Sequence, residues 1–201
     1  MEQIVFVLDK IGIFACAFVS VSHGIRKKLD VFGLLLVGII GAIGGGMVRD
    51  ISLARVPYAI TNSDYMLIAT VISMLAIFLY HLKRRIPTRI LLLADTIGMA
   101  AFAISGANLA MQLQLNFFIV VLFAVITATG GGFIRDIMLN DVPFILKREI
   151  YATAAGAGGV VFFVCMNWKF GYVYSTLLAL SFIIILRSYA VTKRLNLPIL
   201  K

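Results

Sequence analysis

The sequence is poor in charge and in the residues that build enzyme and metal sites. Of 201 residues, 13% are charged, and only two are cysteine and two histidine. Cys16 and Cys165 lie inside apolar runs, which favours buried thiols over a disulfide or a metal site. No HExxH motif, no nucleotide-binding loop ending in Lys-Ser/Thr and no paired-carboxylate arrangement is present. These absences argue against an enzyme and leave any transport passive or driven by an ion gradient.

Long apolar runs dominate what is present. Hydrophobic residues make up 62% of the chain, against roughly 45–50% in soluble domains. Because a spanning helix needs about 20 mostly apolar residues, we predict an all-α polytopic membrane protein with roughly seven spans. Residues 1–201 would form a single membrane domain. The net charge of +9 lies in short basic clusters between the apolar runs, which favours membrane loops and excludes nucleic acid as the expected partner.

The chain contains an internal repeat. Residues 44–50 read GGGMVRD, and residues 130–136, 86 positions later, read GGGFIRD. We therefore predict repeat 1 at 4–86 with helices 1–3, repeat 2 at 90–168 with helices 4–6, and helix 7 at 171–190. Since each repeat holds an odd number of helices, the second repeat must enter the membrane from the opposite side. This pattern is typical of an inverted-topology repeat, giving a 3+3 arrangement plus one helix.

The basic loop residues predict the orientation of the chain. With the N-terminus outside and the C-terminus in the cytoplasm, most of them fall on the inner side, as the positive-inside rule requires. The residues assigned to the inner side are Arg26, Lys27, Lys28, Lys83, Arg84, Arg85, Arg89, Lys147, Arg148, Lys193, Arg194 and Lys201.

The two glycine triplets interrupt helices 2 and 5. Three consecutive glycines cost about 1 kcal/mol each relative to alanine in a helix, and an adjacent arginine and aspartate are costly in lipid. We expect helices 2 and 5 to be broken or kinked there, near the bilayer centre, with protein or water covering the exposed backbone. Freed carbonyl groups would suit a partly dehydrated monovalent cation. The carbonyl groups in question are those of Gly44, Gly45, Gly130 and Gly131.

The two motif arginines need partners inside the membrane. Adjacent residues on a helix do not face each other, so Asp50 alone is not expected to neutralise Arg49. Repeat symmetry makes Asp9 the expected charge partner of Arg49, and Asp95 that of Arg135. Two alternatives stay open. The triplets could serve only close helix packing, and the Arg–Asp pairs could be structural locks with no role in transport.

The inverted repeat, the two GGGxxRD motifs and the seventh helix resemble the prokaryotic trimeric intracellular cation channel (TRIC-type) family. That family shares its repeat with bacterial glycine-transporter-like membrane proteins. The resemblance implies a homotrimer surrounded by lipid in the bacterial inner membrane. It also implies a path for potassium and sodium in each subunit, lined by helices 2 and 5, with no cofactor other than a bound potassium or sodium ion.

The resemblance implies a set of path residues, to which we add two threonines that adjoin the second triplet. The candidate path residues are Gly44, Gly45, Gly46, Arg49, Asp50, Thr127, Thr129, Gly130, Gly131, Gly132, Arg135 and Asp136.

The leading hypothesis is a passive monovalent cation channel. The alternative is a secondary transporter of a small amino acid such as glycine. In it an arginine or the amide end of a half-helix would bind the carboxylate, and an aspartate or a carbonyl end would bind the ammonium group. A structural membrane component with no transport activity is the third hypothesis.

Overall fold

The computed structural model describes residues 2–82, 86–147, 150–193 and 195. Within these ranges the regular secondary structure is helical throughout. The helices, in chain order, are α1 (Glu2–Arg26), α2 (Val31–Ser52), α3 (Tyr58–Thr61), α4 (Ser63–His81), α5 (Thr88–Gln112), α6 (Phe117–Met138), α7 (Phe144–Lys147), α8 (Ala152–Asn167) and α9 (Tyr172–Lys193).

Six helices of the described chain are long and apolar enough to cross a membrane. They are α1, α2, α4, α5, α6 and α9. The all-α, multi-pass membrane architecture expected from the sequence is therefore confirmed. The helix in the sixth predicted position, α8, is apolar but has only 16 residues. A spanning helix needs about 20, so the count of seven spans stays a prediction.

The internal repeat is visible in the helix boundaries. The helices α1 and α5, α2 and α6, and α3 and α7 are each displaced by 86 residues at both ends. The helix caps repeat as well. The Asp30 carboxylate accepts from the amide of Gly33 at 2.7 Å, and the Asn116 side chain accepts from the amide of Ile119 at 3.1 Å. In both repeats this cap satisfies an amide that has no partner within its own helix. By contrast, α9 follows both repeats and has no counterpart in repeat 1.

The glycine triplets mark a close crossing of α2 and α6, and the predicted break is wrong. Both helices pass through their triplets without interruption. A Cβ atom on Gly45 would collide with the carbonyl oxygen of Thr127, and one on Gly131 with the carbonyl oxygen of Gly41. Glycine is therefore required because two backbones touch, as small residues allow in membrane helix pairs. A kink without a break stays a prediction.

Helix continuity also changes the expected cation site. Within a continuous α-helix each carbonyl accepts the hydrogen bond of the amide four residues on. The carbonyl groups at the crossing are therefore not freed in this conformation, and the physical basis we gave for cation binding there is removed. The residues concerned are Gly44, Gly45, Gly130 and Gly131.

The contacts at the crossing show that α2 and α6 run antiparallel. Gly41 lies against the Cβ atom of Arg135, whereas Gly45, one turn further along α2, lies against Thr127, two turns earlier in α6. Arg49 and Arg135 therefore lie on opposite sides of the crossing. The eight residues from Gly41 to Arg49 correspond to about 12 Å along the helix axis at 1.5 Å per residue.

Two apolar cores hold the helices together, one centred on each repeat. The first joins α1, α2 and α4 through residues such as Ile13 and Ala69, and the second joins α5, α6, α8 and α9 through residues such as Ile104 and Ile183. Large apolar side chains also cover the outside, including Phe32 and Phe118. Such a surface suits lipid contact rather than water.

Six of the twelve basic residues that we assigned to the inner side lie outside the described residues. They are Lys83, Arg84, Arg85, Arg148, Arg194 and Lys201. The orientation stays a prediction.

Candidate functional site

Arg49 lies at the centre of a buried cluster drawn from four helices. We call Asp9, Arg49, Asp50, Tyr65 and Ser105 the first cluster. Arg49, Asp9 and Asp50 are each no more than 1% exposed. The Nη1 and Nη2 atoms of Arg49 donate to Oδ1 and Oδ2 of Asp9, both at 2.9 Å. This bidentate contact, the strongest geometry for such a pair, is the one that repeat symmetry led us to expect.

Further hydrogen bonds complete the first cluster. The Nε atom of Arg49 donates to Asp50 at 2.7 Å, and Nη1 donates to the Ser105 hydroxyl at 2.6 Å. Ser105 in turn donates to Asp9 at 2.5 Å, and the Tyr65 hydroxyl donates to Asp9 at 3.4 Å. The guanidinium group thus faces two carboxyl groups, so it leaves no excess positive charge in the membrane interior.

Asp50 also fixes the chain that leaves α2. After α2 the backbone turns through Ala54, whose φ of 53° is left-handed, and the amide of Arg55 donates back to the Asp50 carbonyl at 2.9 Å. The Asp50 carboxylate then accepts from the amide of Tyr58 at 2.9 Å, at the start of α3. The aspartate therefore binds the arginine and positions the loop at once.

Repeat 2 forms the same loop with the same bonds. Asn140 has a φ of 52°, the amide of Asp141 donates to the Asp136 carbonyl at 2.9 Å, and the amide of Phe144 donates to the Asp136 carboxylate at 2.7 Å. This loop-positioning role of the motif aspartate was missed by sequence reasoning. The prolines seven residues after each aspartate were the available signal.

The corresponding cluster in repeat 2 is assembled differently. We call Asp95, Arg135, Asp136, Tyr151 and Arg187 the second cluster. Arg135 pairs with Asp136, with Nη2 2.7 Å from Oδ1. The expected contact between Arg135 and Asp95 is not formed. Instead Asp95 lies 3.7 Å from Nη2 of Arg187, a residue of α9, and accepts a hydrogen bond from Tyr151 at 3.4 Å.

A cavity of about 180 Å³ opens beside Arg135. A buried water needs roughly 10–15 Å³ of such space, so several waters fit. The space beside Arg49 is only about 10 Å³. The two sites are therefore unequal, one sealed and one open. The polar and charged groups that line the larger cavity are His23, Arg26, Thr88, Asp95, Thr129, Arg135, Asp136 and Tyr151.

The remaining candidate path residues divide into three groups. Thr129 and Gly132 line the larger cavity, and Gly46 lines the small space beside Arg49. Thr127 is buried against Gly106 in the contact between α5 and α6. The other four glycines form the helix crossing described above. In the part of the chain that the structure describes, no three or more His, Cys, Asp or Glu side chains are grouped to hold a metal ion.

Removing the Ser105 hydroxyl should weaken the first cluster measurably. Ser105→Ala deletes a donor to Asp9 and an acceptor for Arg49, so we expect a loss of about 1–3 kcal/mol in stability. Ser175 is the matched control, because it is equally buried and its hydroxyl donates only to the Gly171 carbonyl, which also accepts a backbone amide. Ser175→Ala should cost less than about 1 kcal/mol. Thermal unfolding in detergent measures both, and equal losses would contradict the bridging role.

The fold and the site define a class of protein. Two related three-helix units pack through a glycine-lined antiparallel crossing, and each buries an Arg–Asp pair between apolar helices. Charged groups so placed are typical of repeat-built membrane transport proteins.

The chain belongs to the family whose model is described as Glycine transporter. That model matches twice, at residues 6–81 and 92–167, again 86 positions apart. Among named relatives, the UPF0126 inner membrane protein YadS of Escherichia coli K12 is 38% identical over 160 residues, covering 79% of this chain and 77% of the relative. A UPF0126 membrane protein of Vibrio cholerae is 32% identical over 98% of this chain and 82% of its own length.

Solved structures confirm the resemblance to the TRIC-type family. A chain from work on conductance through TRIC cation channels superposes with a TM-score of 0.89 at 35% identity, covering 97% of this chain and 96% of that one. A prokaryotic TRIC channel crystallised in 0.5 M KCl superposes with a TM-score of 0.88 at 33% identity, covering 98% of this chain and 100% of that one. The orthologue from Rhodobacter sphaeroides, described as a trimeric intracellular cation channel, superposes with a TM-score of 0.89 at 28% identity. The match covers 96% of this chain and 100% of that one. These neighbours are described as channels rather than as enzymes.

Proposed function

We propose that this protein is a passive cation channel. The observation that carries the proposal is the superposition of nearly the whole chain on solved cation channels, at TM-scores of 0.88–0.89. Potassium and sodium are the proposed permeant ions, conducted through a path in each subunit of a homotrimer. The bacterial inner membrane, with the N-terminus outside, is the proposed location, and the E. coli relative is named an inner membrane protein.

The proposed path runs beside α2 and α6, from the cavity at Arg135 past the glycine crossing to the first cluster. The antiparallel crossing supports this course, because it sets the two arginines on opposite sides of the glycines. The cavity supplies room for water and ions at one end. At the other end, five mutually bonded side chains leave almost no space. The conformation is therefore that of a channel closed at the first cluster.

The arginines are compatible with a cation path because neither stands alone. Arg49 faces Asp9 and Asp50, and Arg135 is paired with Asp136. A guanidinium without a counter-charge would repel a cation 4 Å away by about 4 kcal/mol, if the effective dielectric constant is about 20. Opening then means separating Arg49 from Asp9 without leaving either charge in lipid, which water entering from the cavity can accomplish.

Purified protein in planar bilayers should give unitary currents. Under a KCl gradient we expect the reversal potential to lie near the potassium equilibrium potential, because the path excludes chloride. Bilayers treated with the same detergent and heat-denatured protein are the control. Ohmic leak without discrete steps, or reversal near the chloride potential, would contradict a cation channel.

A glycine carrier is the second candidate, and the second cluster favours it specifically. Arg135 and Asp95 line one cavity without bonding each other. A guanidinium could bind the carboxylate of a zwitterion and an aspartate its ammonium group. The matching family model is described as Glycine transporter. Saturable glycine counterflow in proteoliposomes, without unitary currents, would favour the carrier over the channel.

A further inference from the structure

We infer that Arg187, on the helix that stands outside both repeats, draws Asp95 away from Arg135 and so holds the second cluster open. The inference concerns the conformation of the cavity. It rests on the proposed function only in treating that cavity as an entrance to the path.

The pair of rings beside Arg187 has a counterpart in repeat 1. There the rings of Tyr58 and Tyr65 pack against Phe6, with ring centroids 4.7 and 6.2 Å away. The corresponding rings in repeat 2, 86 residues on, are those of Phe144 and Tyr151. Against these two rings lies the guanidinium of Arg187, at 5.6 and 4.5 Å from the centroids. In repeat 1 the guanidinium groups of Arg49 and Arg55 lie over the Tyr58 ring, at 5.8 and 5.2 Å, so the difference is that in repeat 2 the cation comes from α9, outside the repeats.

The carboxylate beside each ring pair responds to that difference. The tyrosine hydroxyl lies 3.4 Å from the aspartate in both repeats, from Tyr65 to Asp9 and from Tyr151 to Asp95. The two carboxylates are therefore similarly placed. Asp9 binds Arg49 bidentately, whereas Asp95 lies 3.7 Å from Arg187.

A second difference between the repeats prevents Arg135 from competing with Arg187 for Asp95. Ser105, which bridges Asp9 and Arg49 in the first cluster, corresponds to Val19 in the repeat register, and Val19 lines the cavity beside Arg135. Valine offers no hydrogen bond to hold a guanidinium against Asp95. Among the described residues the ion pair of Arg135 is with its neighbour Asp136, and the space between Arg135 and Asp95 stays open.

Removing the cation should reverse this arrangement. Arg187 is 2% exposed, so an apolar residue of similar length fits its site. Asp95, whose side chain is 17% exposed to the cavity, would then lose the cation 3.7 Å away on α9. Arg135, on the other side of the same cavity, is the available partner. The two should pair across the cavity and close it, as Asp9 and Arg49 do in repeat 1.

The test measures access to the cavity with a thiol reporter. Thr129→Cys, a near-isosteric change at the cavity wall, is made in full-length protein whose Cys16 and Cys165 are alanine. A water-soluble methanethiosulfonate reagent should modify it. Adding Arg187→Met should slow the reaction by about tenfold or more, and Arg187→Lys, which keeps the charge, should stay within about threefold of the parent. Elution as a single species in size-exclusion chromatography selects folded variants.

A second carboxylate variant separates pairing from loss of packing. With Asp95→Asn added to Arg187→Met, Arg135 keeps Asp136 but has no carboxylate to pair with across the cavity, and we expect reactivity at Thr129→Cys to recover. An unchanged rate in Arg187→Met would overturn the inference. An equally slow modification rate in the variant that carries both Arg187→Met and Asp95→Asn would also overturn the inference. It would mean that the cavity collapses around the smaller side chain without any pairing of charges. Because the reaction needs no current, a slowed rate in protein that conducts nothing would support the inference while contradicting the channel.

Discussion

Alanine at Gly45 should cost the protein about 3 kcal/mol of stability, the upper end of the range for overpacking, while alanine at the next residue, Gly46, should be tolerated. The Cβ atom at position 45 would collide with the carbonyl oxygen of Thr127, part of a helical backbone that cannot move aside locally. At Gly46 the nearest atom is Nη2 of Arg49, at an ordinary 3.8 Å. There alanine should even help, by up to about 1 kcal/mol in helix propensity.

The second triplet provides an internal repetition of the same test. A Cβ atom on Gly131 would meet the Gly41 carbonyl oxygen, whereas one on Gly132 would lie 3.7 Å from the Arg135 side chain. We therefore expect Gly131→Ala to resemble Gly45→Ala, and Gly132→Ala to resemble Gly46→Ala. Yield of monodisperse protein and thermal unfolding in detergent are the measurements. Equal stability within each pair would show that the backbones do not touch, and would revive the idea that the triplets serve to break helices.

The glycine triplets are compatible with two different structures when only the sequence is known. Glycine is unfavourable in a helix and favourable where two helices touch, so the same three letters predict a break and a close crossing. The deciding fact is the backbone of Thr127 and Gly41 on the other side of the contact. Such a contact depends on tertiary packing and leaves no local pattern.

The displacement of 86 residues between related helices, in contrast, could be derived from the sequence. A constant displacement of 86 residues anticipated matching helix boundaries in α1 and α5 and in α2 and α6. It also led to the contact between Asp9 and Arg49, because a guanidinium inside a membrane requires an acidic partner and, besides the adjacent Asp50, the register offered only Asp9 in repeat 1.

The repeat did not predict contacts made by residues that lie outside it or that differ between its two copies. Arg187 belongs to α9, outside the repeats, so the register gave no reason to connect it with Asp95. Ser105 lies in repeat 2 but completes the cluster of repeat 1, and its counterpart Val19 is apolar. A buried arginine in an otherwise apolar stretch and a serine among small residues were the signals available. Neither indicates its partner without the three-dimensional arrangement.

Asp9→Asn should be far more damaging than the symmetry-related Asp95→Asn. Asp9 makes two 2.9 Å contacts with an arginine that is fully buried, so removing its charge leaves Arg49 with Asp50 alone. Breaking one partner of a buried pair typically costs about 3–5 kcal/mol. The side chain of Asp95 is 17% exposed to the cavity and lies 3.7 Å from Arg187. Because this contact is longer and the carboxylate is partly exposed, its loss should cost less than that of Asp9, about 1–3 kcal/mol. Thermal unfolding in detergent compares them directly.

The same pair of variants tests whether the first cluster closes the path. If the bonds between Asp9 and Arg49 keep it shut, surviving Asp9→Asn protein should show a higher open probability in bilayers, whereas Asp95→Asn should change it little. Exchanging the charges, with Asp9→Arg and Arg49→Asp together, should rescue stability only in part, because the new carboxylate lies beside Asp50. An Asp9→Asn protein as stable as Asp95→Asn, with unaltered opening, would mean that the bidentate pair neither supports the fold nor closes the channel.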